Sequence, residues 1–125
     1  MSTTITSSNV AVVVGTLSSD PRVTELPSGD TIVNYEISTD TPAGKLSVPV
    51  QMHVAGRLPA LQAADPVVAV GAVRRRFYRA GGATVSRTEV LASVVGKPGG
   101  ARVERAIAAV SDALRNGASA RPGGG

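Results

Sequence analysis

The chain has no cysteine and no tryptophan, and its 125 residues include one histidine, one phenylalanine and two tyrosines. Without cysteine there is no disulfide framework and no thiolate chemistry. A lone histidine lacks the clustered ligands of a typical zinc site. With aromatics at 2%, the 42% apolar content is mostly Val and Ala, which favours strands and small-side-chain packing over an aromatic core. Long apolar runs are missing too. No segment approaches the roughly 18 unbroken apolar residues of a membrane span, and no signal peptide is visible at Met1, so the expected location is the cytoplasm. No nucleophile–base pair, paired-carboxylate set or metal cluster stands out, so neither enzyme activity nor a cofactor is expected. The length suits one domain with a modest core.

Acidic residues are scarce where basic ones gather. The net charge is +4, yet residues 1–96 hold eight Arg and Lys against seven Asp and Glu. Most of those acids lie early, from Asp20 to Asp40. Between Asp65 and Glu89 stand Arg74, Arg75, Arg76, Arg79 and Arg87 and no acid at all. A near-neutral body with a basic stripe points to a binding surface for an anionic partner.

Turn signals divide the chain into short strands. Asn9–Leu17 reads as a buried strand in which Gly15 allows a bulge or a close backbone approach. Ser18-Ser19-Asp20-Pro21 and Pro27-Ser28-Gly29-Asp30 are turns. Strands are expected at Arg22–Leu26 and Thr31–Thr39, the latter with Val33, Tyr35 and Ile37 on one face. Ser47–Ala55 alternates, with Val48, Val50, Met52 and Val54 inward and Pro49, Gln51, His53 and Ala55 outward. Leu58–Ala64 is expected to form one or two helical turns before Asp65-Pro66. Val67–Tyr78 and Thr88–Val95 complete the strands, joined through a glycine loop at 79–84. About five short strands suggest a small closed barrel. Beyond the Gly96–Gly100 breaker cluster, Val103, Ile107, Val110 and Leu114 recur at helical spacing, predicting an amphipathic helix over 101–116. This gives a domain at 1–96, a linker at 97–100, the helix, and a flexible tail at 117–125.

Arg74-Arg75-Arg76-Phe77-Tyr78-Arg79 holds two of the three aromatics. Guanidinium groups attract phosphate, and rings and guanidinium planes stack on bases. On a strand Arg74, Arg76 and Tyr78 share one face, while Arg75, Phe77 and Arg79 share the other. The bland reading of the first face is a charge-blunted strand end. Phe77 suits a subunit contact or a cap on the domain equally well.

Gly15 to Pro21 (Gly-x-Leu-x-x-Asp-Pro), the Ser28-Gly29 turn, Gly56-Arg57-Leu58, Gly71-x-x-Arg74-x-Arg76-x-Tyr78 and Thr88-Glu89-Val90 occur in an order that resembles the bacterial single-stranded DNA-binding proteins, over roughly residues 9–96. The resemblance implies a mainly β fold, a five-stranded OB-fold barrel with the C-terminal amphipathic helix appended. It also implies sequence-independent binding of single-stranded DNA during replication, recombination and repair, by a dimer or tetramer associated with the nucleoid. The DNA contacts it implies, together with the arginine stripe, are Arg74, Arg75, Arg76, Tyr78, Arg79, Arg87, Arg57 and His53. Two places where relatives carry a stacking aromatic hold Pro49 and Ala55, a third falls near Ala43, and the acidic C-terminal tail of the family is absent. Each stacked base is worth on the order of 1–3 kcal/mol, so weaker and more salt-sensitive binding than in relatives is expected. The rival reading is a protein-interaction subunit held by the 101–115 helix, or a dimer resembling the primosomal replication proteins. The helix either packs on its own domain or meets a partner.

Overall fold

The computed structural model describes residues 8–115. Position 116 of the expected helix and the tail expected at 117–125 lie outside the described residues. Six strands and one helix follow in order: β1 (Ala11–Leu17), β2 (Arg22–Glu25), β3 (Thr31–Thr41), β4 (Gly44–Val54), β5 (Pro66–Ala80), β6 (Ala83–Gly96) and α1 (Ala101–Arg115). Among the described residues, no helix is long and apolar enough to cross a membrane.

The expectation of a five-stranded OB-fold barrel is corrected. The strands form one six-stranded mixed sheet in the order β1-β5-β6-β4-β3-β2, with β2 as a free edge. All pairings are antiparallel except β4–β6, which meet in parallel at Val50↔Val90 and Gln51↔Leu91. β1 also touches β3, but only at Thr16↔Ser38 and Leu17↔Ile37. Alternation locates strand segments but carries no information on their pairing order, and a barrel extrapolates from strand number and resemblance alone.

The sheet bends so that its concave face buries Leu17, Val33, Tyr35, Ile37, Val50, Met52, Val67, Ala69, Val90, Ala92 and Val95. Tyr35 sits in this core, as its phase with Val33 and Ile37 predicts, and burial pushes its hydroxyl pKa up to about 12. Between Val70 and Gly71 the β5–β6 register shifts by one residue, so that Val70 faces Val94 while Gly71 faces Ala92. The extra residue, Ser93, lets both Ala92 and Val95 turn inward. Gly71 is required there, because a Cβ would lie 2.1 Å from the Leu91 carbonyl oxygen. Gly15 makes the close approach read from the sequence, at 2.1 Å from the Ser38 oxygen for the same hypothetical Cβ.

The outward face of the same ladder seats the helix. Val103 is buried, and with Ala106, Ile107 and Val110 it packs on Val68, Val70 and Val94. The helix therefore closes on its own sheet; Leu114, the fourth residue of its stripe, stays 57% exposed.

The helical turns expected at Leu58–Ala64 do not form. Other partners take the backbone donors there: Ala63 N donates to Asp20 Oδ1 at 2.8 Å, Gln62 N to Asp65 Oδ2 at 3.0 Å, and Ala64 N to the Leu17 carbonyl at 2.8 Å. Ala64 is held at φ 74°, which no helix accepts.

Gly15→Ala and Gly71→Ala are each expected to lower unfolding free energy by about 1–3 kcal/mol through overpacking. Gly56→Ala, where a Cβ meets nothing within 4 Å, is expected to stay within about 0.5 kcal/mol. Urea midpoints at constant slope measure all three.

Candidate nucleic-acid interface

Residues Gly81 and Gly82 join β5 to β6 with φ values of 59° and 82°. Positive φ at both centres is the two-residue hairpin turn that glycine pairs favour, and its twist matches the flanking strands. It sets Ala80 opposite Ala83, and counting back along both arms puts Arg76 opposite Arg87 and Arg74 opposite Glu89. Six residues, Arg75–Ala80, run about 20 Å past that last pair. Arg74, Arg76 and Tyr78 thus share the outward face with Arg87 and Glu89. Arg75, Phe77 and Arg79 lie on the reverse, opposite Thr88, Ser86 and Thr84.

The outward face is organised around Glu89. Its side chain is 2% exposed, and Arg74 NH2 donates to Oε2. Arg76 Nε lies 3.2 Å from the same oxygen and Arg87 Nε 3.7 Å from Oε1. The network spreads across neighbouring strands. Arg74 NH2 donates to Gln51 Oε1 at 2.9 Å, and Gln51 Nε2 to Asn34 Oδ1 at 3.1 Å. Arg87 NH2 lies 3.1 Å from Glu36 Oε1, and Ser47 Oγ donates to Glu36 Oε2 at 3.0 Å. Arg74 Nε is buried without a partner among the described residues. At the outer end, Arg76 Cζ lies 5.6 Å from the centroid of the Tyr78 ring, within cation–π reach.

Burial alone would raise the Glu89 pKa, but hydrogen bonds from Arg74 and Arg76 and their positive charges outweigh it and hold the carboxyl below its usual range. Three guanidinium groups face two carboxylates, so the cluster retains net positive charge. Arg74, Arg76 and Arg87 keep roughly a third or more of their side-chain surface in solvent.

The structure brings together Arg74, Arg76, Arg87 and Tyr78 and separates the other candidates. Arg75 and Arg79 occupy the reverse face, with one Arg79 NH2 donating to the Gly82 carbonyl at 3.1 Å. His53 is exposed on β4, on the same face as Gln51 and two residues further along. Arg57 lies past the end of β4. With His53, Lys97 and Arg102 it lines a recess of about 650 Å³ beside the start of α1. Pro49 pairs with Glu36 on the outward face, and Ala55 is exposed just beyond β4. Among the described residues, no group of three or more His, Asp or Glu is placed to hold a metal ion.

Glu89, Glu36, Gln51 and Asn34 are the members that sequence reasoning did not assign to the site. A signal was available for Glu89: reading Gly81-Gly82 as a two-residue turn, in place of a 79–84 loop, puts it opposite Arg74.

The sign of the pH dependence follows from the lowered pKa. Stability contributed by ionised Glu89 is complete above the unfolded carboxyl value of about 4.3 and is lost as pH falls through the lower folded value. Glu89→Gln is expected to lower stability at neutral pH by about 1.5–3 kcal/mol. The gap to wild type should narrow as the solution is acidified below pH ~4. Urea denaturation of both proteins from neutral to acid pH measures it.

Compared with known proteins, the chain matches no family model and no curated protein.

Proposed function

We propose that the protein binds single-stranded DNA without sequence preference and without catalysis, in replication, recombination or repair. The observation that carries this reading is the outward array: three partly exposed guanidinium groups, Arg74 and Arg76 held by the buried Glu89 and Arg87 held by Glu36, ending in an arginine stacked toward a tyrosine ring. Arg74, Arg76 and Arg87 follow phosphates, Tyr78 stacks on a base, and Gln51, Asn34 and His53 offer polar contacts alongside. The role places the protein at the nucleoid in the cytoplasm. Association of copies would multiply weak sites on one strand through effective concentration.

A specific observation favours a second reading, a protein-interaction subunit. Val12 and Val14 on β1 are 44% and 60% exposed, and Val23 on β2 is 50% exposed, which is apolar surface that a partner or a second copy would cover.

Fluorescence anisotropy of labelled oligo-dT of about 35 nucleotides separates the two. Strand binding predicts tight association at low salt and little affinity for duplex. Arg74→Ala/Arg76→Ala should flatten the salt dependence by roughly 1.4 in log–log slope, at about 0.7 per phosphate contact. Absence of binding at low salt overturns the strand reading and leaves the interaction subunit.

A further inference from the structure

We propose that the reverse face of the β5–β6 hairpin, centred on Phe77, is a second binding surface for the same single strand, so that the nucleic acid engages the projecting hairpin on both sides. The inference rests on the strand-binding reading above and adds a site to it. Phe77 is 64% exposed, more than any other large hydrophobic residue described, and so it does not cap the core. It stands between Arg75 and Arg79 on one strand, and the residues opposite all three are hydroxyl-bearing: Thr88, Ser86 and Thr84.

Charge distinguishes the two faces. On the outward side, Glu89 and Glu36 neutralise most of the charge of Arg74, Arg76 and Arg87. On the reverse side, among the described residues, no carboxylate lies within 4 Å of Arg75 or Arg79. An aromatic face flanked by two uncompensated guanidinium groups, with hydroxyls across the ladder, complements a base between two phosphates. It suits an acidic polyanion better than an apolar protein surface, where two desolvated arginines without a carboxylate partner would oppose docking. Phe77 and Tyr78 are consecutive on a strand, so their rings project from opposite sides. A strand crossing the hairpin tip, where Gly81 and Gly82 carry no side chain, passes from one ring to the other.

The chain has no tryptophan, so a single introduced one reports on its own face. Phe77→Trp and Tyr78→Trp are prepared in the full chain and titrated with oligo-dT, while anisotropy follows binding by the wild type. The indole fluorescence of both variants should be quenched, and Phe77→Ala should weaken binding roughly tenfold, within the range for loss of one stacked base. Arg75→Ala/Arg79→Ala should lower the salt slope by about as much as the Arg74/Arg76 pair does. If the Phe77→Trp variant is unquenched at saturation while the Tyr78→Trp variant is quenched, the second surface is overturned and strand binding stands. If the wild type does not bind oligo-dT at low salt, both ideas fall together.

Discussion

β5 and β6 are hydrogen-bonded to one another from Val68↔Gly96 to Ala80↔Ala83, and the arginines of the hairpin, Glu89, Phe77 and Tyr78 all take their positions from that ladder. Two points pin its register. The Gly81-Gly82 turn fixes the outer half, where a slip of one residue would move every arginine to the opposite face. The Ser93 bulge fixes the inner half, where the same slip would pull Val95 out of the core. Between them lies Gly71, whose missing side chain lets the two backbones approach closely enough for the bulge to exist. The outward face of this one ladder then changes character along its length. Val68 and Val70 are covered by the helix; Arg74, Arg76 and Tyr78 are left to solvent.

Glu89 is where packing meets the proposed binding face. An isolated carboxylate at this depth would be costly to ionise, and the guanidinium groups of Arg74 and Arg76 make ionisation favourable. In turn, the carboxylate holds flexible side chains in one geometry before any ligand arrives. The two effects oppose each other for an anionic ligand. Compensation by Glu89 and Glu36 lowers the field that attracts phosphate, while preorganisation lowers the entropy lost when a contact forms. For the proposed ligand, a face built this way would favour defined contacts over maximal attraction, whereas the arginines on the reverse, without carboxylate partners, would contribute more to long-range steering.

Much of the secondary structure was legible because its signals are local. Val33, Tyr35 and Ile37 alternate with polar residues, Gly-rich and Pro-rich pairs mark most turns, and the α1 stripe has a clear helical period. Two things were not legible, for one shared reason: the sheet order and the loop at 58–64 depend on contacts distant in sequence. The centre of the outward cluster depends instead on the length of the Gly81-Gly82 turn. Leu58–Ala64 has helix-forming composition, but Asp20 and Leu17, some forty residues earlier, take its backbone donors. Glu89 reads as one member of a Thr-Glu-Val strand; its role exists only once the turn sets it against Arg74. Asn9 is similar, its amide exchanging hydrogen bonds with the Val73 backbone at 2.8 and 2.9 Å as a strand neighbour would.

The scarcity of aromatics makes the hairpin more important than it would be in a ring-rich surface. With Pro49 on the outward face and Ala55 just beyond β4, neither carrying a ring, the proposed stacking there falls to Tyr78, and one ring would supply on the order of 1–3 kcal/mol. That is too little to hold a strand without phosphate contacts, so in the proposed binding the affinity would come chiefly from arginine and would weaken steeply with salt. A second ring on the reverse side changes the balance. On the proposed second surface, Phe77 would add a salt-insensitive contribution of similar size without widening the domain, because the projecting hairpin offers two faces for one pair of strands. The same projection explains why the cation-rich segment extends beyond the core instead of lying flat on it. A hairpin arm open to water on both sides can keep Arg75 and Arg79 hydrated until a strand arrives, and neither then needs a buried carboxylate of its own.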